Sequence, residues 1–306
     1  MNILVSGLLN TETTTAVRGF PINYYPIDYA FFGVNTVVSG VAYNVARALT
    51  VLGDSVRFLS MTGRDLPAAC IRGQLTEDGV DTAHIRPLLK ETPSSVVLYD
   101  GQGRRQIYCD LKDIQETDYG FFPELLENVD LVAACNINFN RPLLRLAKAA
   151  GKTIATDVHV LNNLHDDYNR EFLEAADILF LSDEGLGKDW WDFLWALAGT
   201  YGPRIIVLGR GSRGAAMYLR DENRIFQVPA AQVGEIVNTV GAGDALFSSF
   251  LHYYAAGEHP VEALVRAQLF ASAKIGVSGA SLGFVTGEEI DRLYALHADN
   301  MKWNIR

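Results

Sequence analysis

Two glycines and an aspartate stand close together in residues 237–247. Gly241, Gly243 and Asp244 lie between a β-branched run and an apolar pattern of helical period, which indicates a tight turn leading into a helix. Glycines let a ligand approach the backbone, and the free N–H groups and positive dipole of a helix N-terminus bind anions. A carboxylate beside a phosphate site repels its ligand unless it is needed as a proton acceptor. The pairing therefore predicts phosphoryl transfer to a hydroxyl group, although an ordinary turn with a first-turn aspartate is the plainer alternative.

The composition is typical of a globular protein with a sizeable core. Of the 306 residues, 49% are hydrophobic and 20% are charged, which suits one large domain or a domain with a small accessory unit. The net charge of −10 argues against binding to nucleic acid or to a membrane surface. Three distant cysteines predict neither a disulfide framework nor a zinc cluster. Without a signal-peptide pattern or an apolar run of membrane-spanning length, we expect a cytoplasmic protein.

From residue 129 onward, short apolar strands alternate with amphipathic helices. The strands are predicted at 131–135, 153–157, 178–181 and 205–208, and the helices near 141–150, 169–176 and 189–199. This alternation is typical of βαβ units on a parallel sheet that has helices on both faces. Earlier in the chain, a strand at 3–5 is followed by a loop with Asn10 and Glu12. Residues 13–38 and 94–112 are rich in β-branched and aromatic residues, and together they predict a small, separate β-sheet.

Residues 209–214, Gly-Arg-Gly-Ser-Arg-Gly, match the GxGxxG pattern formally. A dinucleotide site requires a helix after this pattern, whereas residues 215–219 are predicted to form a strand. We therefore interpret the run as a turn between strands that could line a nucleotide site. The chain also lacks a P-loop, because Gly187-Lys188 has neither the upstream glycine nor the following hydroxyl residue.

Residues 238–244, Asn-Thr-Val-Gly-Ala-Gly-Asp, resemble the C-terminal signature of the ribokinase-like (PfkB) carbohydrate kinases. An aspartate usually stands at the position of Asn238 in that signature. The resemblance implies an ATP-dependent kinase in which Asp244 takes the proton of the acceptor hydroxyl. The backbone N–H groups expected to stabilise the transferring phosphoryl group belong to Gly241, Ala242 and Gly243.

Two N-terminal segments resemble the same family. Ser39, Gly40 and Asn44 open a helix that ends in Leu-x-x-Leu-Gly, with Ser39 in place of the first glycine of the family's Gly-Gly pair. Residues 7–12 resemble a Gly-x-x-Asn-x-Asp segment, with Glu12 where aspartate is usual. In the family these segments hold the hydroxyl groups of the sugar. The substrate-binding candidates are therefore Asn10, Glu12, Gly40 and Asn44.

The resemblance covers essentially the whole chain, since the βαβ order between the two signatures also agrees. It implies an α/β, ribokinase-like domain over residues 1–306, with a central, mostly parallel sheet flanked by helices. The stretches 13–38 and 94–112 would form a small β-lid inserted in that domain. The family also implies a homodimer joined through the lids.

The family implies ATP and Mg²⁺ as cofactors. The nucleotide-binding candidates are Gly211, Gly214 and Thr239. An Asn-x-x-Glu segment often supports magnesium in the family, but the corresponding residues 181–185 read Leu-Ser-Asp-Glu-Gly, so Asp183, Glu184 or neither takes that role. Asn238 is a further metal-binding candidate. Where potassium activation occurs, it uses the side chain of the aspartate that Asn238 replaces, so potassium dependence is in doubt.

Two other functions stay open beside a sugar kinase. A nucleoside kinase of the same fold is suggested by aromatic side chains of the first lid stretch, which could stack a base. These aromatics are Tyr24, Tyr25, Tyr29, Phe31 and Phe32. A ligand-binding relative that has lost catalysis is suggested by Ser39, Asn238 and the unusual residues 182–185. For Asp157 and His159, at a predicted strand end, a substrate role and a structural role are equally open.

Overall fold

The apolar runs of the chain form two sheets in the computed structural model, which describes residues 1–102 and 104–305. The strands are β1 (Asn2–Ser6), β2 (Asn10–Ala16), β3 (Val34–Ser39), β4 (Ser55–Met61), β5 (Ile85–Arg86), β6 (Ser94–Tyr99), β7 (Arg105–Asp110), β8 (Leu131–Ala134), β9 (Thr153–Val160), β10 (Ile178–Ser182), β11 (Ile205–Gly209), β12 (Ala215–Leu219), β13 (Arg224–Val228) and β14 (Asn304–Ile305). The helices are α1 (Val41–Val51), α2 (Leu66–Glu77), α3 (Arg141–Ala149), α4 (Arg170–Ala175), α5 (Trp190–Tyr201), α6 (Ala242–Ala255), α7 (Pro260–Lys274) and α8 (Gly287–His297).

The main sheet has ten strands in the order β14-β13-β12-β11-β10-β9-β8-β1-β4-β5. The strands from β11 to β5 run parallel, and β12, β13 and β14 add an antiparallel edge. All four residues of β8 are buried, as expected for a parallel strand covered on both faces. Because the parallel strands share one direction, their carboxyl ends meet at one edge, where ligands bind in open α/β sheets.

Helices cover both faces of this sheet. One buried cluster joins the sheet to α1, α2, α6, α7 and α8, and a second joins it to α3, α4 and α5. The helix α6 packs against both α1 and α7. In the described parts of the chain, no helix combines the length and apolar character that crossing a membrane requires. The layered arrangement therefore holds the N-termini of α1 and α6 next to each other beside the sheet.

A separate four-stranded sheet has the order β3-β2-β6-β7, with β2 and β6 parallel. The sequence placed Asn10 and Glu12 in a loop, but β2 begins at Asn10 because the threonine-rich run pairs along its whole length with β3 and β6. Residues 17–33 connect β2 to β3 without forming a strand, so strands occupy only the two ends of the predicted stretch 13–38. The hairpin turn at 100–103 includes Gly103, which lies outside the described residues.

Candidate active site

The N-terminus of α6 presents bare backbone. Gly241 precedes the helix with φ +78°, and a Cβ there would lie 2.4 Å from the Ala280 carbonyl oxygen, so the position accepts only glycine. A Cβ on Gly243 would meet no atom within 4 Å, so its backbone faces open space. The N–H of Ala242 donates to the Thr239 carbonyl at 3.2 Å, and the other amides of the first turn of this 14-residue helix are candidates for binding an anion.

The carboxylate of Asp244, in the first turn of α6, is tied to α1. The side-chain amide of Asn44 donates a hydrogen bond of 2.7 Å to Oδ2 of Asp244, across 200 residues of sequence. Asn44 is buried and Asp244 is half-buried. The structure therefore brings the two predicted signatures into direct contact.

The surroundings of Asp244 tune its basicity. Burial raises the pKa of Asp244 to about 6, whereas the hydrogen bond from Asn44 and the electrostatic influence of His159 and Lys274 act to lower it. The neighbouring carboxylate of Asp157 acts to raise it. A carboxylate with this pKa is ionised near neutral pH yet basic enough to accept a proton during a reaction.

Among the described residues, the side-chain oxygens of two buried asparagines, Asn10 and Asn44, accept no hydrogen bond. Asn10 donates to the Ser95 hydroxyl at 3.1 Å, but its Oδ1 accepts no hydrogen bond from the described residues. The Oδ1 of Asn44 is buried and unpartnered as well. An unsatisfied buried acceptor costs about 1–3 kcal/mol, so each oxygen favours a ligand that donates a hydrogen bond. Hydroxyl groups of a sugar satisfy that requirement.

The two departures from the N-terminal family pattern contact each other. The Ser39 hydroxyl donates to Oε2 of Glu12 at 3.5 Å. Burial raises the pKa of Glu12, while the Ser39 hydrogen bond and the charge of Arg105 act to lower it. Gly40 has φ +111°, and a Cβ there would lie 2.4 Å from the Leu8 carbonyl oxygen. Packing of the protein against itself thus already requires glycine at position 40.

Asp157 and His159 belong to the same charged cluster. The strand β9 continues to Val160, beyond the predicted end at 157, and its pairing with β10 is irregular near that end. Oδ1 of Asp157 accepts the backbone N–H of His159 at 2.8 Å, and His159 has φ +59°. Asp157 is half-buried and His159 is exposed, and both contribute to the electrostatic environment that sets the pKa of Asp244.

The turn at Gly211–Arg213 joins β11 to β12 at the carboxyl edge of the sheet. A strand follows the turn, which excludes the dinucleotide interpretation. Gly211 is exposed with φ +53° and open space at its Cβ position, while Thr239 is also exposed. Gly214 differs, because a Cβ there would lie 2.1 Å from the Val228 carbonyl oxygen. Its glycine is explained by packing between strands.

The metal-binding candidates have distinct environments. Oδ2 of Asp183 lies 2.5 Å from Nη2 of Arg213 and 3.5 Å from Nε of Arg210, so this carboxylate is already paired. Oδ1 of Asn238 accepts the backbone N–H of Val240 at 2.8 Å. Glu184 is exposed. Across residues 1–102 and 104–305, no group of three or more His, Cys, Asp or Glu side chains could hold a metal ion.

Sequence reasoning missed Lys274, the last residue of α7. A lysine in the last turn of a helix is ordinarily a solvated residue that complements the helix dipole. Here the side chain is fully buried, and its ammonium donates a hydrogen bond to the carbonyl of Val240, directly before Gly241. Only the apolar residues around position 274 in the sequence could have signalled this burial.

Comparison with known proteins shows the family of the chain. The profile of the pfkB family carbohydrate kinases matches residues 2–286. The chain is 26% identical over 269 residues to the fructosamine kinase FrlD of Bacillus subtilis, which covers 87% of this chain and 91% of that protein.

Solved structures share the fold. The microbiome-derived acarbose kinase Mak1 superposes with a TM-score of 0.85 at 23% identity, covering 96% of this chain and 99% of that chain. A ribokinase II from E. coli, solved with ATP and Mg²⁺, gives a TM-score of 0.81 at 20% identity, covering 97% and 99%. These structures confirm the predicted α/β, ribokinase-like fold. With a family profile that spans nearly its whole length, the chain belongs to the pfkB family of carbohydrate kinases.

Proposed function

We propose that this phosphotransferase moves the γ-phosphoryl group of ATP to a hydroxymethyl group of a sugar or sugar-like molecule. The observation that carries the proposal is the hydrogen bond between Asn44 and Asp244. It joins Asn44, whose Oδ1 accepts no hydrogen bond from the described residues and suits a sugar hydroxyl group, to a carboxylate of raised pKa at a helix N-terminus. FrlD is a fructosamine kinase and Mak1 an acarbose kinase, so a modified sugar is the acceptor class that we favour.

The side chains support an in-line transfer. Asp244 accepts the proton of the acceptor hydroxyl while that oxygen forms a bond to the γ-phosphorus, and the bond from the γ-phosphorus to the bridging oxygen of ADP breaks. The backbone N–H groups of Gly241 and Gly243, that of Ala242 once it leaves the carbonyl of Thr239, and the dipole of α6 stabilise the charge on the transferring group. Positioning and electrostatic stabilisation account for most of the catalysis of phosphoryl transfer.

The nucleotide would extend from α6 toward Gly211 and Thr239. Gly209, at the end of β11, lies against Leu246 of α6, so the turn after β11 begins next to that helix. Magnesium, when bound with ATP, neutralises phosphate charge and is held mostly through water and phosphate oxygens. Among the metal-binding candidates, Glu184 has the accessible carboxylate, whereas Asp183 is paired with arginines.

The test is a screen of acceptors for ATP-dependent gain of a phosphoryl group, measured by mass spectrometry. The panel contains sugars, amino-acid-modified sugars, sugar acids, polyols and nucleosides. We expect a sugar or modified sugar to be phosphorylated fastest. Phosphorylation of nucleosides alone would favour the nucleoside-kinase alternative, and binding without any phosphorylated product would favour a relative that has lost catalysis.

The four-stranded sheet is proposed to act as a lid and as the contact between two copies of the chain. Residues 17–33 connect β2 to β3 on this sheet, and they expose several aromatic rings. Tyr24 is 88% exposed and Phe32 is 100% exposed. Apolar side chains concentrated on one exposed segment are typical of an interaction surface. Closure of the lid would exclude water and limit hydrolysis of ATP.

Substitution in this segment is expected to separate the two copies. The double variant Phe31→Asp/Phe32→Asp places charge where the contact would be buried, so we expect a dimer for the unmodified chain and a monomer for the variant by light scattering. Leu66→Asp is the matched control, because Leu66 is 77% exposed at the start of α2 and outside this segment. An unmodified chain that is monomeric at micromolar concentration would contradict the dimer.

A further inference from the structure

The buried ammonium of Lys274 has no part in the mechanism described so far. It lies at the C-terminus of α7 and donates to the carbonyl oxygen of Val240. Burying an ammonium is costly unless hydrogen bonds or an opposite charge compensate for the lost hydration. Burial lowers the pKa of Lys274 to about 8, while the charge of Asp244 acts to raise it, so the side chain is largely protonated at neutral pH.

Hydrogen bonds hold the segment before the anion site to the end of α7. The carbonyl of Ile275, the residue after Lys274, accepts the N–H groups of Val237 at 2.9 Å and Asn238 at 3.1 Å. The Lys274 ammonium then holds the carbonyl of Val240, two residues further along. Since Gly241 follows directly, these contacts fix the direction in which the turn enters α6. Lys274 therefore sits behind the phosphate-binding amides and contributes positive charge there.

A potassium ion does not fit the residues of this turn. In potassium-activated relatives the ion uses an aspartate side chain at the position of Asn238, as the family resemblance implies. Here the Oδ1 of Asn238 already accepts the N–H of Val240 at 2.8 Å, and the carbonyl of Val240 already accepts from Lys274. A second monovalent cation next to a buried ammonium would also be repelled.

We propose that the Lys274 ammonium is a built-in monovalent cation that positions the turn before α6, so that the chain works without potassium. Only the kinetic consequences of this inference rest on the proposed kinase activity. Lys274 is a positioning residue, because its ammonium contacts the carbonyl of Val240 and acts on the transferring group through that residue and Gly241.

The first test compares salts at equal ionic strength. The unmodified chain is expected to have the same kcat in potassium, sodium and tetramethylammonium chloride. Lys274→Met removes the charge and keeps most of the side-chain volume, so we expect kcat to fall by at least about 10-fold while KM for the acceptor changes little. Potassium or ammonium ions, small enough to enter the vacated space, are expected to restore part of that kcat, and tetramethylammonium is not.

Thermal unfolding gives a readout that needs no acceptor. Replacing tetramethylammonium by potassium is expected to leave the Tm of the unmodified chain unchanged. The same change is expected to raise the Tm of Lys274→Met, because an ion that binds only the folded state stabilises that state. Lys152→Met is the matched control, since Lys152 also donates to a backbone carbonyl, that of Val129, at 2.8 Å. Lys152 precedes β9, at the amino-terminal edge of the sheet and opposite the candidate active site. We expect the kcat of the Lys152→Met variant to be independent of potassium.

The results separate this inference from the proposed function. A potassium-dependent kcat or Tm in the unmodified chain overturns the role of Lys274, and so does a Lys274→Met variant with unchanged kcat and no response to potassium. If no acceptor is phosphorylated in any salt, the proposed function fails. The comparison of Tm values between the unmodified chain and Lys274→Met then still decides the inference.

Discussion

The Asp244→Asn variant is expected to lose turnover by about 10³-fold or more while it still binds ATP and the acceptor. The amide has nearly the same size and keeps a polar contact with Asn44, but it cannot take the proton of the attacking hydroxyl group. Removing the negative charge also removes repulsion of the nucleotide, so affinity for ATP should hold or rise. Single-turnover kinetics measures the chemical step, and calorimetry measures the two affinities.

Asp192→Asn is the control for this substitution. Asp192 lies in the first turn of α5, as Asp244 lies in the first turn of α6, and its side chain is exposed. If Asp244 were only a first-turn acid that stabilises its helix, the two variants would lose similar small amounts of stability and keep their turnover. Near-normal turnover in Asp244→Asn would rule out its role as the base.

Local sequence patterns predicted the parts of the site that depend on interactions between residues close together along the chain. The strand-helix rhythm after residue 129 predicted the parallel sheet, because period and length decide these elements largely by themselves. The turn before α6 was predicted from Gly241 and Asp244, since a left-handed residue before a helix favours glycine. The absence of a helix after Gly214 correctly excluded a dinucleotide site.

Contacts between distant segments could not be predicted in this way. The sequence offered Asn44 only as a substrate-binding residue by resemblance, and its hydrogen bond to Asp244 exists only because α1 packs against α6. Asp183 was a metal-binding candidate by position, but the turn after β11 brings Arg213 within 2.5 Å of it. Spacing shows which residues are adjacent along the chain, whereas pairing of charges depends on the tertiary fold.

The glycines also show that contacts between distant segments cannot be predicted from spacing along the chain. Gly40, Gly214 and Gly241 were predicted to contact ligands, and at all three positions a Cβ would also collide with a backbone oxygen of the protein itself. At Gly211 and Gly243 the corresponding space is open. A sequence shows that a side chain is missing, and only the packing around the residue shows whether a ligand or the chain occupies the space.

Asn44→Leu is expected to lower kcat by about 10²-fold at neutral pH and to move the acid side of the pH profile upward. In the unmodified chain, turnover should rise with pH through about 6, because Asp244 accepts a proton only when it is ionised. Asn44 stabilises the ionised form, so its loss raises the pKa of Asp244 and shifts the rise in turnover to higher pH. His159 and Lys274 still favour ionisation, and Asp157 still opposes it.

Loss of Asn44 should also raise KM for the acceptor, because its unpartnered Oδ1 is one of the two buried oxygens that await a donor. Thr50→Ala is the control on the same helix, since the Thr50 hydroxyl bonds only within α1, to the Ala46 carbonyl at 2.9 Å, as far as the described residues show. Its pH profile should match that of the unmodified chain. An Asn44→Leu profile with an unmoved acid side would mean that Asn44 does not control the ionisation of Asp244. In that case the lower kcat would reflect acceptor placement alone, and the contact across 200 residues would serve binding rather than proton transfer.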